Sequence, residues 1–264
     1  MQLAEERRQH IVDMVQAQGK VLAAELAQRF HTSEYTIRRD LRDLDAAGLL
    51  RRVHGGAMRR GGVEPSFGAR QDADAARKHL LAQALVDCVR PGDTVLVDAG
   101  TTNLAFARAL PDGLAAGVVT NSPQIALALG ELRQTRVMLL GGIYSAHAGA
   151  VLGAHTLAEV KRLRADLAIV GVCSVEAERG LGASDAEEAA LKAAMLAAGS
   201  RRAVAVLNER LETAAPFLIA PLDQVDQLVL EADCAPAVLA RLRQGARAPD
   251  IKLADIKIAT KARP

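Results

Sequence analysis

Three groups of residues in this sequence have the types and spacing to do chemistry. The first is a run of arginines, Arg38, Arg39, Arg42, Arg51, Arg52, Arg59 and Arg60, opposed within that stretch only by Asp40, Asp43 and Asp45. A local excess of guanidinium suits a phosphate-binding surface, although a solvated basic helix face has the same composition. The second is a series of small polar turns: Asp98-Ala99-Gly100-Thr101-Thr102, Thr120-Asn121-Ser122-Pro123 and Gly141-Gly142. Backbone N–H groups and hydroxyls at a helix start cradle phosphate or carboxylate, and a residue without a Cβ lets a ligand approach the backbone. The third is Asp185, Glu187, Glu188 and Lys192, which follow Gly180-Leu181-Gly182. Glu188 and Lys192, spaced i, i+4, make either a surface ion pair or acid–base equipment.

Other chemistries lack their signatures. The six histidines fall in no HxH or HExxH spacing and the cysteines in no CxxC, so neither a metal nor a cofactor is expected. Cys88, Cys173 and Cys234 are far apart and flanked by aliphatic residues, as buried reduced thiols would be. A redox switch at Cys173 would need a basic partner or a resolving cysteine, and the neighbouring sequence has neither. Gly180 to Asp185 lacks the third glycine of a dinucleotide fingerprint, and no Walker A or GxSxG run occurs.

The elements that must hold these residues follow from periodicity. Residues 3–18 place Ile11, Met14 and Val15 on one stripe, and Gly19 ends that helix. A second short helix is expected over 22–30, with Leu22, Leu26 and Phe30 on its buried side. Thr32 or Ser33 offers a capping hydroxyl for a third helix over 34–47. Ile37, Leu41 and Leu44 bury one face of that helix. A rotation of about 100° per residue then puts Tyr35, Arg39 and Arg42 on the opposite face with Arg38 beside them. A helix of this width fits the major groove, where Arg pairs with guanine. Residues 49–57 read as a wing that carries Arg52 and His54 and turns on Gly55-Gly56.

The run from Leu26 to Leu41, with TIRRDL at its end, followed by Gly48-Leu49 and Val53-His54-Gly55-Gly56-Ala57, closely resembles the winged helix-turn-helix of the DeoR family of bacterial transcription regulators. The resemblance implies that Ser33, Thr36, Arg38 and Arg39 belong to the recognition helix and His54-Gly55-Gly56 to the wing. It makes a double-stranded DNA operator the expected partner of residues 3–58.

Residues 59–76, broken by Gly61-Gly62, Pro65 and Gly68, read as a linker. Beyond it the texture alternates. Strands are expected at 94–98, 117–120, 137–140, 167–171, 203–207 and 228–230, most of them followed by a helical pattern, which indicates a doubly wound, mostly parallel sheet in an α/β domain over 77–255. Ligands of such sheets sit beyond the carboxyl ends of the strands, where the three polar turns fall.

This region resembles the DeoR sensor domain, whose fold is related to sugar-phosphate isomerases. The resemblance implies a pocket for a phosphorylated sugar or related metabolite. Gly100, Thr101 and Thr102 would lie near the phosphate, with Asp98, Asn121, Asp185, Glu188 and Lys192 around the polyol. Ser122, Gly141, Gly142 and Gly153 are expected at the same edge. One departure stands out: family members carry Asp-x-Ser-Lys where this chain reads Asn208-Glu209-Arg210-Leu211. Leu211 thus replaces a lysine expected to face an anion, with Arg210 next to it able to swing in.

Composition bounds the remainder. The 264 residues are half apolar but only 2% aromatic, without Trp, so Ala, Leu and Val must build the core. No run is long enough to span a membrane and the start lacks a signal-peptide core, so the protein is expected in the cytoplasm. The resemblance to the family implies a homodimer or homotetramer, and paired DNA half-sites would require at least two DNA-binding domains. An enzyme acting on sugar phosphates is the alternative that Asp185, Glu188 and Lys192 leave open. Residues 256–264 carry no reading.

Overall fold

The computed structural model describes residues 4–18, 20–53, 55–58, 65–244 and 247–254. The chain divides into two compact units, residues 1–64 and 65–264. Among the described residues no helix is long and apolar enough to cross a membrane.

The first unit runs α1 (Ala4–Gln18), β1 (Lys20–Leu22), α2 (Ala23–Arg29), α3 (Glu34–Ala46), β2 (Arg51–Val53) and β3 (Gly56–Met58). Ile11 and Val15 of α1, Leu26 of α2 and Ile37, Leu41 and Leu44 of α3 close one apolar core. The expected stripe of the second helix is corrected. Leu22 sits in β1 with extended backbone and is 38% exposed, so Ala23, Leu26 and Ala27 form the buried side. His31 then adopts a left-handed φ of 47°, which stops α2 short of α3.

The wing is a three-stranded antiparallel sheet, ordered β1-β3-β2, whose first strand was not expected because three residues carry no period. Its two glycines do different work. Gly55 takes the left-handed turn at φ 76°, whereas a Cβ on Gly56 would lie 2.0 Å from the carbonyl oxygen of Val21 across the sheet. His54 lies outside the described residues.

A buried carboxylate seats α3. Asp40, 3% exposed, accepts from Arg7 Nε at 2.7 Å and from Arg8 Nε at 3.0 Å, and Arg8 also reaches Asp43. Two guanidiniums from α1 therefore fix the rotation of α3 about its own axis, so that the face opposite Leu41 looks outward.

The larger unit opens with α4 (Phe67–Gln71) and α5 (Ala75–Val86), then β4 (Thr94–Val97), α6 (Thr101–Ala109), β5 (Gly117–Thr120), α7 (Pro123–Ala128) and β6 (Arg136–Leu139). A hairpin follows, β7 (Ile143–Ser145) and β8 (Ala150–Leu152), before α8 (Ala154–Val160) and β9 (Ala165–Ile169). The chain continues through β10 (Ser174–Glu176), β11 (Gly180–Ala183), α9 (Ala186–Ala198), β12 (Gly199–Ala205) and β13 (Phe217–Ala220). It ends with β14 (Gln227–Glu231), α10 (Pro236–Leu242) and β15 (Asp250–Ala254).

Seven of these strands form one parallel sheet, ordered β15-β14-β12-β9-β4-β5-β6. All six expected strands are in it, 117–120 with the same ends and the other five with ends shifted by one to a few residues; β15 was not foreseen. Alternation along β4 sends Val95 and Val97 to a layer with Leu81, Phe106 and Ile125, and Leu96 to a layer with Val160, Met195 and Leu242. Helices α5, α6 and α7 thus cover one face, and α8, α9 and α10 the other.

The expected linker is shorter at its carboxyl end. Residues 59–64 lie outside the described residues, but Phe67 of α4 is only 3% exposed and packs in the core of the larger unit, so 65–76 belong to that unit. The Gly180-Leu181-Gly182 run, given no element by its sequence, is strand β11 between β10 and β13.

Asp40→Asn removes the clamp's charge and keeps its shape. Both arginines reach water in part, so the loss should fall below the roughly 3–5 kcal/mol of a fully buried pair, at about 2 kcal/mol. Urea denaturation of the full chain should show the unfolding of the first unit moving to lower urea; an unmoved transition would discard the clamp.

Candidate functional site

The outward face of α3 is built as expected. Ser33 caps the helix, its Oγ accepting from the Thr36 backbone N at 3.1 Å and lying 2.9 Å from Thr36 Oγ1. Tyr35 is 77% exposed, and Arg38, Arg39 and Arg42 are exposed beside it. Arg38 is engaged by Glu34 one turn back at 2.6 Å. Arg39 and Arg42 make no ion pair among the described residues and project into solvent. Arg52 on β2 is exposed as well, as is Gly55 in the wing turn, while Gly56 is buried by its contact with β1.

The second site lies at the carboxyl edge of the parallel sheet. From β4 the chain winds one way through β5 and β6 and then resumes on the other side with β9, which makes the gap between β4 and β9 the topological switch point. Asp98 stands there, 2% exposed. Its backbone N donates to the Ile169 carbonyl, and its Oδ2 accepts from Gly171 N at 3.1 Å and Lys192 Nζ at 2.5 Å. Its Oδ1 accepts from Asn121 Nδ2 at 3.3 Å, and Asn121 Oδ1 in turn accepts from Ala99 N. Asn103, in the first turn of α6, donates to the Asp98 carbonyl.

Lys192 is buried, and Glu188 lies 3.6 Å from its Nζ on the same helix. Burial opposes its charge, but the carboxylates of Asp98 and Glu188 outweigh that and hold the ammonium's pKa above the ordinary lysine range. The i, i+4 pair is thus no surface pair. Asp98, Asn121 and Lys192 are directed at one another and brace the switch point.

Beside this brace opens a cleft of about 240 Å³, lined by Ser145, His147, Gly153, Asp185, Glu187 and Glu188 with Ile143 and Leu152. Of the expected effector residues it collects Gly153, Asp185 and Glu188. Asp185 also caps α9, accepting from the amides of Glu187 and Glu188. Ser145 and His147 were missed because they lie at the strand end and in the turn of a hairpin whose strands are three residues long.

The other turns are placed as follows. Gly100 precedes α6 at φ 149°, and α6 begins at Thr101; Thr101 is buried and Thr102 half-buried. Ser122 caps α7. A Cβ on Gly142 would lie 2.1 Å from Thr156 Oγ1 and 2.6 Å from the Leu152 carbonyl oxygen, and one on Gly141 3.3 Å from His155. Packing on β8 and α8 therefore accounts for Gly142, whereas Gly141 meets only the side chains of His155 and Glu159. Leu211 is 5% exposed within the core, and Arg210 donates from Nη1 to the Cys173 carbonyl at 3.3 Å. Cys88 and Cys234 are buried, whereas Cys173 is half-buried.

Residues 7–60 match the DeoR-like helix-turn-helix domain and residues 73–232 the DeoR C-terminal sensor domain. The chain belongs to the DeoR family of transcriptional regulators. It is 31% identical over 232 residues to the HTH-type transcriptional regulator GlpR of Haloferax volcanii, covering 87% of this chain and 90% of that one. It is also 31% identical to the glycerol-3-phosphate regulon repressor of Escherichia coli K12, over 72% of this chain and 76% of that one. A solved ribose 5-phosphate isomerase A from Neisseria gonorrhoeae shares 14% identity over 53% of this chain and 55% of that one, with a TM-score of 0.38. DeoR-family membership answers the choice left open by Asp185, Glu188 and Lys192: the chain is a regulator, not an enzyme.

Lys192→Met leaves Asp98 as an uncompensated buried charge and should cost about 3–5 kcal/mol in denaturant unfolding of the larger unit. The sign with pH follows from the raised folded-state pKa of Lys192: the ammonium's contribution is full below the unfolded lysine value and is lost as pH rises through the higher folded one. The cost of the substitution should therefore be level across neutral pH and shrink only in strong alkali. A cost that shrinks between pH 6 and 8 would contradict the assignment.

Proposed function

We propose that this DeoR-family regulator is a repressor of an operon for the catabolism of a sugar or related carbon source, released or tightened by a small phosphorylated metabolite held at the carboxyl edge of the larger unit. It acts in the cytoplasm as a homodimer or homotetramer, because half-sites on duplex DNA call for at least two copies of α3. The observation that carries the DNA half is the Ser33-capped helix with Tyr35, Arg39 and Arg42 turned to solvent. In this reading Arg39 and Arg42 reach base edges and phosphates, Ser33, Thr36 and Arg38 complete the recognition helix, and Arg52 with the His54-Gly55-Gly56 wing meets the backbone or minor groove.

The metabolite half draws its support from the cleft beside the Asp98–Lys192 brace and from relatives named for small carbon compounds. They include the glycerol-3-phosphate regulon repressor and the L-fucose operon activator of Haemophilus influenzae, which is 30% identical over 84% of this chain. Asp185 and Glu188 in the cleft suit the hydroxyls of a polyol, with Asp98, Asn121 and Lys192 as the charged brace behind them. Gly100, Thr101, Thr102 and Ser122 offer helix-start donors to a phosphate, with Gly153 at the rim of the cleft. With Leu211 in the core, no cation approaches the ligand from that position.

Arg39→Ala should weaken binding to a duplex from the region upstream of the chain's own gene by about tenfold or more, a guanine-pairing arginine being worth roughly 1–3 kcal/mol. Anisotropy titration reads this, and binding that is indifferent both to sequence and to the substitution would sink the reading.

Thermal-shift titration with glycerol 3-phosphate, fructose 1-phosphate and their unphosphorylated parents tests the metabolite half. A true ligand at 100 times its Kd should add about 2.7 kcal/mol of stability. Stabilisation by the sugars alone, without preference for the phosphorylated forms, would remove the phosphate from the proposal.

A further inference from the structure

The turn from Ser145 to Gly149 touches three things at once. Ser145 and His147 line the cleft. The Gly149 carbonyl accepts from Ser122 Oγ at 3.2 Å, and two residues on Val151 N donates to the carbonyl of Asn121, whose side chain binds Asp98 in the brace. On its far side the turn holds α4, because the Phe67 backbone N donates to the His147 carbonyl at 2.8 Å. One residue, His147, thus faces the cleft and anchors the first helix of the larger unit.

The anchor has no slack. Gly149 adopts φ 67°, and a Cβ built there would lie 2.4 Å from Phe67 Cγ and 2.5 Å from its Cδ2, so the ring rests directly on bare backbone. Within the turn, Gly149 N donates to the Ser145 carbonyl at 2.8 Å and Ala148 N to Ser145 Oγ at 3.3 Å. The other end of α4 is gripped from α5, where the buried Lys78 donates to the carbonyls of Arg70 and Ala73. A displacement of the turn cannot be absorbed by the Phe67 ring and must be passed to α4, since packed contacts shift between discrete arrangements and do not stretch.

We infer that the Ser145–Gly149 turn is the link through which occupancy of the cleft is communicated to the DNA-binding unit: a ligand that moves Ser145 and His147 moves Phe67 and α4, and with them the point where the chain enters the larger unit. The inference rests on the effector reading proposed above. It assigns Phe67 and Gly149 as coupling residues that touch neither ligand nor DNA.

Hydrogen exchange by mass spectrometry on the full chain tests the link without any ligand. Gly149→Ala forces a methyl group against the ring and should speed exchange of residues 65–74 by about tenfold or more. Phe67→Leu keeps an apolar side chain in the pocket, where Phe67→Ala would leave a cavity, and should speed exchange of residues 145–151 to a like degree. Each variant should also change affinity for the upstream duplex by about fivefold or more, although every arginine of α3 is intact. Exchange that changes only around the substituted residue overturns the link, as does operator affinity equal to that of the unaltered chain. An unaltered chain that binds no duplex would instead strike the regulator's proposed mode of action, and the exchange comparison would still decide the mechanical link.

Discussion

The larger unit is organised around a charge that ought not to be buried. Asp98 sits where neighbouring strands of the sheet wind away in opposite directions, at the carboxyl ends of β4 and β9. A carboxylate that accepts from Gly171 N, Asn121 Nδ2 and Lys192 Nζ satisfies those groups together. Its cost of desolvation is offset only while all three donors are in place. The positions of β5, β9 and α9 relative to one another are thereby interlocked, because each contributes one donor. The cleft lies against this interlocked corner, with Glu188 common to both.

The first unit solves a similar problem by similar means. Apolar packing of Ile37, Leu41 and Leu44 decides which side of α3 is buried, but apolar packing alone tolerates rotation and sliding. Asp40, held between Arg7 and Arg8, adds a directional constraint, since charged hydrogen bonds fail quickly with angle. The arginines that turn outward and those that turn inward come from one dense basic sequence. Their sorting is decided by a single buried acid.

Much of this is legible in the sequence, for physical reasons that differ from place to place. The helices of the first unit show because their apolar residues recur at i, i+4 and i+7, and the strands of the parallel sheet because burial on both faces demands continuous aliphatic runs. The polar turns at the carboxyl edge could be placed because every one of them follows such a run. What stayed hidden was decided by contacts between distant residues. Asp40 among arginines reads as a solvated acid until α1 is folded over it. Glu188 and Lys192 leave a surface pair and acid–base equipment equally open until Asp98, 94 residues away in the chain, is brought to Lys192. The Pro65 and Gly68 punctuation reads as linker, yet the fit of Phe67 onto Gly149 draws that stretch into the larger core. Strands β1, β7, β8 and β10 are too short for any period to show.

The strand order also sets a sequence of events in the making of the protein. The core of the first unit closes among residues 11 to 57, nearly all of it through helices and turns of short range. The centre of the sheet needs β4 beside β9, and the amide of Thr94 reaches Asp166 across 72 residues of chain. Pairings of that span wait for loop closure and for the later strand to exist, whereas local helical contacts do not. During synthesis from the amino end, the helix that presents Arg39 and Arg42 is complete while the switch point is still being translated. A nascent chain therefore carries its arginine ridge before it carries the means of governing it.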